Sequence, residues 1–162
     1  MTIDALEQFL ESHGLEVDLL RKADKIKLLQ RWREHFACEL HLKTGCSIVR
    51  NWDLSVFEKG LLPSVADSQA ELEFAKQPLE PCYVIPSDSG PGFFCSSQPP
   101  ADLNRFCLEG VRPWPLTSAC DGLTWADANI LVFPTSMSWT LAIHAEGCFF
   151  VTCPTTTTTT AS

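Results

Sequence analysis

The spacing of apolar positions divides the chain into a helical front half and a strand-rich back half. Ile3, Leu6, Phe9 and Leu10 recur at helical spacing behind Thr2, and Gly14 supplies a left-handed stop, so a short first helix is predicted. Leu15, Val17 and Leu19 then alternate with Glu16 and Asp18, the period of two expected of a half-buried strand. From Asp24 to His41 there is neither Pro nor Gly. Ile26, Leu28, Leu29, Trp32, Phe36 and Leu40 fall on one side of a helix drawn at about 100° per residue, with Trp32 at the centre of the arc. This segment is the one long amphipathic helix expected.

Trp52, Leu54, Val56 and Phe57 lead into Gly60 and Pro63, and Ser68-Gln69-Ala70-Glu71 has the form of a capping box opening a helix to about Gln77. Pro78 and Pro81 prevent its continuation. Tyr83 to Ile85 and Phe93 to Ser96 are predicted to form a hairpin around the turn residues Ser87 to Gly92. Residues 98–127 are rich in Pro and keep no regular period, although Asp102 to Leu108 suits a short helix. Ile130 to Phe133, Trp139 to His144 and Phe149 to Thr152 supply three further strands in a meander. The expected fold is α+β: a mixed or antiparallel sheet of about five or six strands packed on the long helix, with shorter flanking helices. Trp139, Leu141 and Ile143 form one apolar face of their strand and are expected to lie against that helix. One domain is expected over residues 1–154, followed by a disordered Thr-rich tail over 155–162, where no large apolar side chain offers an anchor.

Composition and charge narrow the function classes. Hydrophobic residues make up 45% and charged residues 20% of the 162, values of an ordinary globular chain. The opening residues carry Asp4, Glu7 and Glu11 and no cation before Arg21, unlike an export signal, so a cytoplasmic location is expected. No apolar run approaches the roughly 20 residues that span a bilayer, and no membrane partner is expected. The eight cysteines, at 38, 46, 82, 95, 107, 120, 148 and 153, contain no Cys-x-x-Cys pair and are expected to be reduced and mostly buried. The net charge is −8; residues 1–50 are balanced, whereas residues 51–162 hold twelve acids against four bases, with no cation after Arg112. That balance argues against nucleic acid and favours a cationic protein partner.

Several residues are candidates for chemistry. His35, Cys38 and His41 share the strongest helix, but at about 1.5 Å rise per residue the outer pair lie roughly 9 Å apart along its axis. Cys46 completes a metal set only if the next loop folds back, so no metal is expected. His144 and Glu146 in the last strand pair have the form of a general base beside a carboxylate, and Cys148, Cys153 and the serines stay open as the nucleophile. Glycine-rich phosphate loops and His-Glu-x-x-His are absent, and no cofactor is expected. Trp114 and Trp125, in the irregular region, are candidate partner anchors.

The succession Trp32-Arg33-Glu34-His35-Phe36-Ala37, Trp52 to Phe57, Cys82-Tyr83-Val84-Ile85, Ile130-Leu131-Val132, and Trp139-Thr140-Leu141 with Glu146 and Phe150 resembles a group of small bacterial proteins known as a domain of unknown function. Their final strands read Trp-Thr, several apolar residues, His-Glu, and Gly-Pro-aromatic-Phe. The resemblance covers about residues 15–151, with Ala145 at the position of the family's His and no proline in Gly147-Cys148-Phe149-Phe150. It implies the fold and a cytoplasmic location and brings no activity with it. Two functions are therefore expected as alternatives. One is a non-enzymatic interaction protein, of immunity or antitoxin type, binding a cationic partner through acids among Glu71, Glu73, Glu80 and Asp88. The other is a small hydrolase or thiol-dependent enzyme using His144, Glu146 and a nearby cysteine.

Overall fold

The computed structural model describes residues 3–37, 64–86, 91–103, 130–144 and 147–152. The predicted segment at Trp52 to Phe57, most of the short helix expected from Asp102 to Leu108, the irregular region around Trp114 and Trp125, and the threonine tail lie outside them.

Helix α1 spans Ile3–Ser12. It ends where Gly14 adopts φ +77° and donates its N–H to the Glu11 carbonyl, the stop its sequence predicts. Strand β1 (Val17–Leu19) follows. Helix α2 (Lys22–Trp32) runs on into a single π-helical turn at Arg33–Ala37, and residues 38–41 of the expected helix fall outside the description. Among the described residues the helix expected to be long has 11 α-helical residues, no more than its flanking helices of 10 and 9, both of which the sequence predicts. The buried stripe of α2 also differs: Leu28, Leu29, Trp32 and Phe36 face inward as predicted, but Ile26 is 56% exposed and Lys25 is buried. Position 25 lies four residues before Leu29 and seven before Trp32, in line with the stripe, whereas position 26 is rotated out of it.

Strand β2 (Val65–Ala66) leads into helix α3 (Asp67–Ala75). The capping box does not form. The helix opens before Ser68, the residue at its N-cap is Ala66, and no side chain caps it. Strands β3 (Cys82–Pro86) and β4 (Phe93–Cys95) make the predicted hairpin. β5 (Ile130–Pro134), β6 (Trp139–His144) and β7 (Gly147–Thr152) make the predicted meander.

Among the described residues all the strand pairs are antiparallel, in the order β1-β4-β3-β5-β6-β7-β2. Among the described residues the sheet has seven strands rather than five or six. The extra one, β2, is two residues long and too short to show a period in sequence.

Helices cover both faces of the sheet. On one face, Leu6 and Leu10 of α1 and Ala70 and Phe74 of α3 pack with Cys82, Val84, Phe93, Cys95, Ile130, Val132, Trp139, Leu141, Ile143, Cys148 and Phe150. On the other, α2 and its π turn pack Leu28, Leu29, Trp32 and Phe36 on Ile85, Leu131, Phe133, Ala142 and Val151. The expectation that Trp139, Leu141 and Ile143 meet the second helix is therefore overturned. They meet α1 and α3, and the residues between them meet α2. Strand β5 is buried along its whole length, which accounts for the unbroken run Ile130-Leu131-Val132-Phe133 where a one-sided strand would alternate. A directed bond ties α2 to the sheet: Trp32 Nε1 donates to Thr140 Oγ1 at 2.9 Å, and that hydroxyl donates to the Val132 carbonyl at 3.2 Å.

Candidate functional site

The chemistry-bearing residues of the back half gather where the β6–β7 hairpin meets the start of α3. The register opposes Ile143 to Cys148 and His144 to Gly147. Alternation along β6 puts position 144 on the face of Thr140 and Ala142, while Cys148 shares the opposite face with Ile143 and Phe150. The sheet thus separates the two positions that sequence pairs as base and nucleophile. Glu146 and Cys153 lie outside the described residues.

Gly147 allows the hairpin to approach α3, because a Cβ at this position would collide with the Asp67 carboxylate. Asp67 itself holds a left-handed φ of 50°, uncommon for a residue with a side chain. Its carbonyl accepts a bond from Cys148 Sγ at 3.5 Å. Cys148 is fully buried. Burial pushes its pKa up to about 12, and the negative charges of Glu71 and Asp67 add to the effect while the bond to the Asp67 backbone opposes it. Near neutrality the group is a thiol, and a thiol is a poor nucleophile and a poor metal ligand.

The remaining acidic candidates lie on α3 and just after it. On α3, Glu73 accepts bonds from Lys76 Nζ at 2.7 Å and from Gln69 Nε2 at 2.9 Å, and the Lys76 bond is the main cause holding its carboxyl below the ordinary range. Between and beyond the acids stand two exposed apolar side chains, Leu72 at 56% and Leu79 at 80%. Glu80 follows at once, and its carbonyl accepts from Cys82 Sγ at 3.3 Å. Ser64, Val65, Glu73, Phe150, Val151 and Thr152 line an open groove of about 360 Å³ beside the β2–β7 edge. Asp88 lies outside the described residues.

Sequence reasoning missed Leu72, Leu79, Asp67 and this groove. A signal was present for Leu72, since α3 buries Ala70 and Phe74 four residues apart and an apolar residue midway between them must point elsewhere. The remaining candidates are scattered. His35 is exposed on the π turn, edge-on to Phe36 with ring centroids 5.0 Å apart, and Cys38, His41 and Cys46 fall outside the description. Among the described residues no group of three His, Cys, Asp or Glu is placed to hold a metal ion, and no helix is long and apolar enough to cross a membrane. Lys27 and Arg31 are exposed on α2, which packs on the other face of the sheet from α3. No family model, no curated protein and no solved structure matches the chain.

Proposed function

We propose that the chain is a non-enzymatic interaction protein, of the immunity or antitoxin kind and cytoplasmic, that binds a cationic protein through α3 and the segment after it. The observation that carries this reading is the exposure of Leu72 and Leu79 among Glu71, Glu73 and Glu80. Leucines in water gain by burial at about 25 cal/mol per Å² of apolar area covered, and the carboxylates around them favour a partner whose rim carries Lys or Arg. Lys76 is the single cation between Asp67 and Glu80, and it is paired with Glu73. The alternative, a hydrolase or thiol enzyme using His144, Glu146 and Cys148, gains no support from a neutral, buried Cys148 on the face opposite position 144.

The test is capture of a partner by the intact chain, followed by titration of the purified pair at low and moderate salt. Affinity should fall about tenfold or more with salt and again with Glu71→Lys/Glu80→Lys, and Leu72→Asp or Leu79→Asp should weaken binding further. Reversal of Lys27 or Arg31 should leave it unchanged. A partner indifferent to salt and to the α3 variants, or one lost on reversal of Arg31, overturns the proposal.

A further inference from the structure

Cys82 and Cys95 stand directly opposite one another on β3 and β4, both fully buried and both facing the core beneath α1. Their relation is set by the neighbouring ladder. Leu20 N–H donates to the Gly92 carbonyl and Ser96 N–H to the Glu16 carbonyl, so the even-numbered residues of β4 turn their backbone groups toward β1. Phe93 and Cys95 must then turn theirs toward β3, which makes Cys82 and Cys95 a hydrogen-bonded pair. Such pairs hold their Cα atoms about 5.5 Å apart, inside the Cα range of disulfides, with Cβ atoms at the wide end of the cross-strand spacing, so closing the bridge draws the two strands together locally by about 1 Å.

We propose that Cys82 and Cys95 form a latent disulfide site, at which a peroxide converts the two opposed thiols into a staple between β3 and β4. The first sulfur, as its thiolate, attacks the peroxide; the O–O bond breaks, and a sulfenic acid and one water result. The second sulfur then attacks the sulfenic sulfur and expels hydroxide, which takes up the remaining proton as a second water. Two S–H bonds and one O–O bond are lost and one S–S and two O–H bonds form, so the thiols together give up the two electrons that the peroxide gains.

The site is gated. Burial raises both thiols, Cys95 to about 12, so the closed sheet holds almost no thiolate. The cover is slight, however. Val17 of β1 lies opposite Cys95, β1 is a three-residue edge strand, and Phe9, Leu15 and Val17 are only partly buried against the core. Opening of α1 and β1 admits solvent to Cys95 first, and reclosure returns it to its partner. Oxidation would also remove the Cys82 bond to the Glu80 carbonyl, beside exposed Leu79. The staple needs nothing from the partner surface proposed above. Cys148 is an internal control, since it is buried in the same core but opposed by Ile143.

The experiment treats the full-length reduced protein with hydrogen peroxide, alkylates the remaining thiols after unfolding, digests without reduction and maps the peptides by mass spectrometry. The expected product is a linked peptide pair joining Cys82 to Cys95 and lighter by two hydrogens, with Cys148 not joined to either. Leu10→Ala, which loosens the α1 cover, should speed its appearance several-fold, and Cys95→Ala should leave Cys82 open to alkylation. The proposal is overturned if wild-type Cys82 and Cys95 are recovered alkylated under exposure that oxidises the unfolded chain, or if either is found joined to a different cysteine. The wild-type map decides between these outcomes even if a variant fails to fold.

Discussion

The two faces of the sheet are both closed by helices, yet they are held by different physics. Under α1 and α3 the side-chain contacts are mainly apolar, and the directed bonds there run to backbone carbonyls of α3: Gln98 Nε2 donates to Phe74 at 2.9 Å and Cys148 Sγ to Asp67 at 3.5 Å. Trp139 sits edge-on to Phe74 at 5.4 Å and stacks on Phe150 at 5.8 Å, while its Nε1 finds no acceptor among the described residues. Under α2 another tryptophan is oriented by a bond: Trp32 donates to Thr140, which donates to Val132. Non-directional packing tolerates small rotations of a helix, whereas a buried donor with one acceptor does not, because losing that acceptor costs the full desolvation of the N–H. Helix α2 is therefore fixed in its rotation by one of its own side chains, while α1 is placed by shape and α3 by shape together with the bonds to its Asp67 and Phe74 carbonyls.

Substitutions should distinguish the two faces, the largest loss falling under α2. Trp32→Ala removes both packing and bond and should lower stability by about 3–5 kcal/mol in urea unfolding. An unchanged midpoint would remove Trp32 from the core. Next, Thr140→Val keeps volume but leaves the Trp32 N–H unpaired, and should cost about 1–3 kcal/mol. Trp139→Phe, on the other face, loses no hydrogen bond seen among the described residues and should cost only the missing volume. If these two losses prove to have the same origin, with Trp32→Phe/Thr140→Val no milder than the sum of its single changes, the directed bond has no energetic role.

The thiols separate the faces by pH. Cys82, Cys95 and Cys148 all lie on the α1/α3 side with raised pKa values, so the unfolded chain releases their protons before the folded one does. Their contribution is complete below the ordinary thiol value and is lost as pH rises from about 9 toward 12. Stability should fall by about 1.4 kcal/mol per pH unit for each thiol in that window. Cys95→Ala should flatten this decline, measured as urea midpoints between pH 7 and 10, and an identical slope would show that Cys95 does not carry it. The smallest effect belongs to the surface. Glu73→Gln, which breaks the Lys76 pair, should leave the urea midpoint unchanged, because exposed pairs gain little.

Much of this arrangement was legible in the chain. Alternation at Leu15 to Leu19, the stop at Gly14 and the hairpin of β3 and β4 needed only local periods and turn residues. Double coverage was harder to foresee. Thr140 and Ala142 look like the polar and small side of a half-exposed strand, and only Trp32, 108 residues earlier, makes a buried place for the hydroxyl. The candidate site was legible as residue types and not as positions. His144 and Cys148 are near in sequence, but their faces depend on the hairpin register, which Gly147 and its contact with Asp67 help to set. The exposure of Leu72 could have been read from its place between Ala70 and Phe74, whereas Leu79 lies beyond the helix, where an exposed leucine has the same letter as a buried one.

The strand order has a consequence for the chain as it is made. Helix α3 and β2 rest against β7, so the apolar side of α3 has no floor until a strand at the far end of the sequence exists. From Ala75 to Gly147 is 72 residues, and synthesis at about 5–20 residues per second leaves Ala70 and Phe74 waiting roughly 4–14 seconds for their partners. The nascent protein therefore passes through a stage in which the α3 segment has been made and its apolar residues are unsheltered, when a holding chaperone has the most to bind.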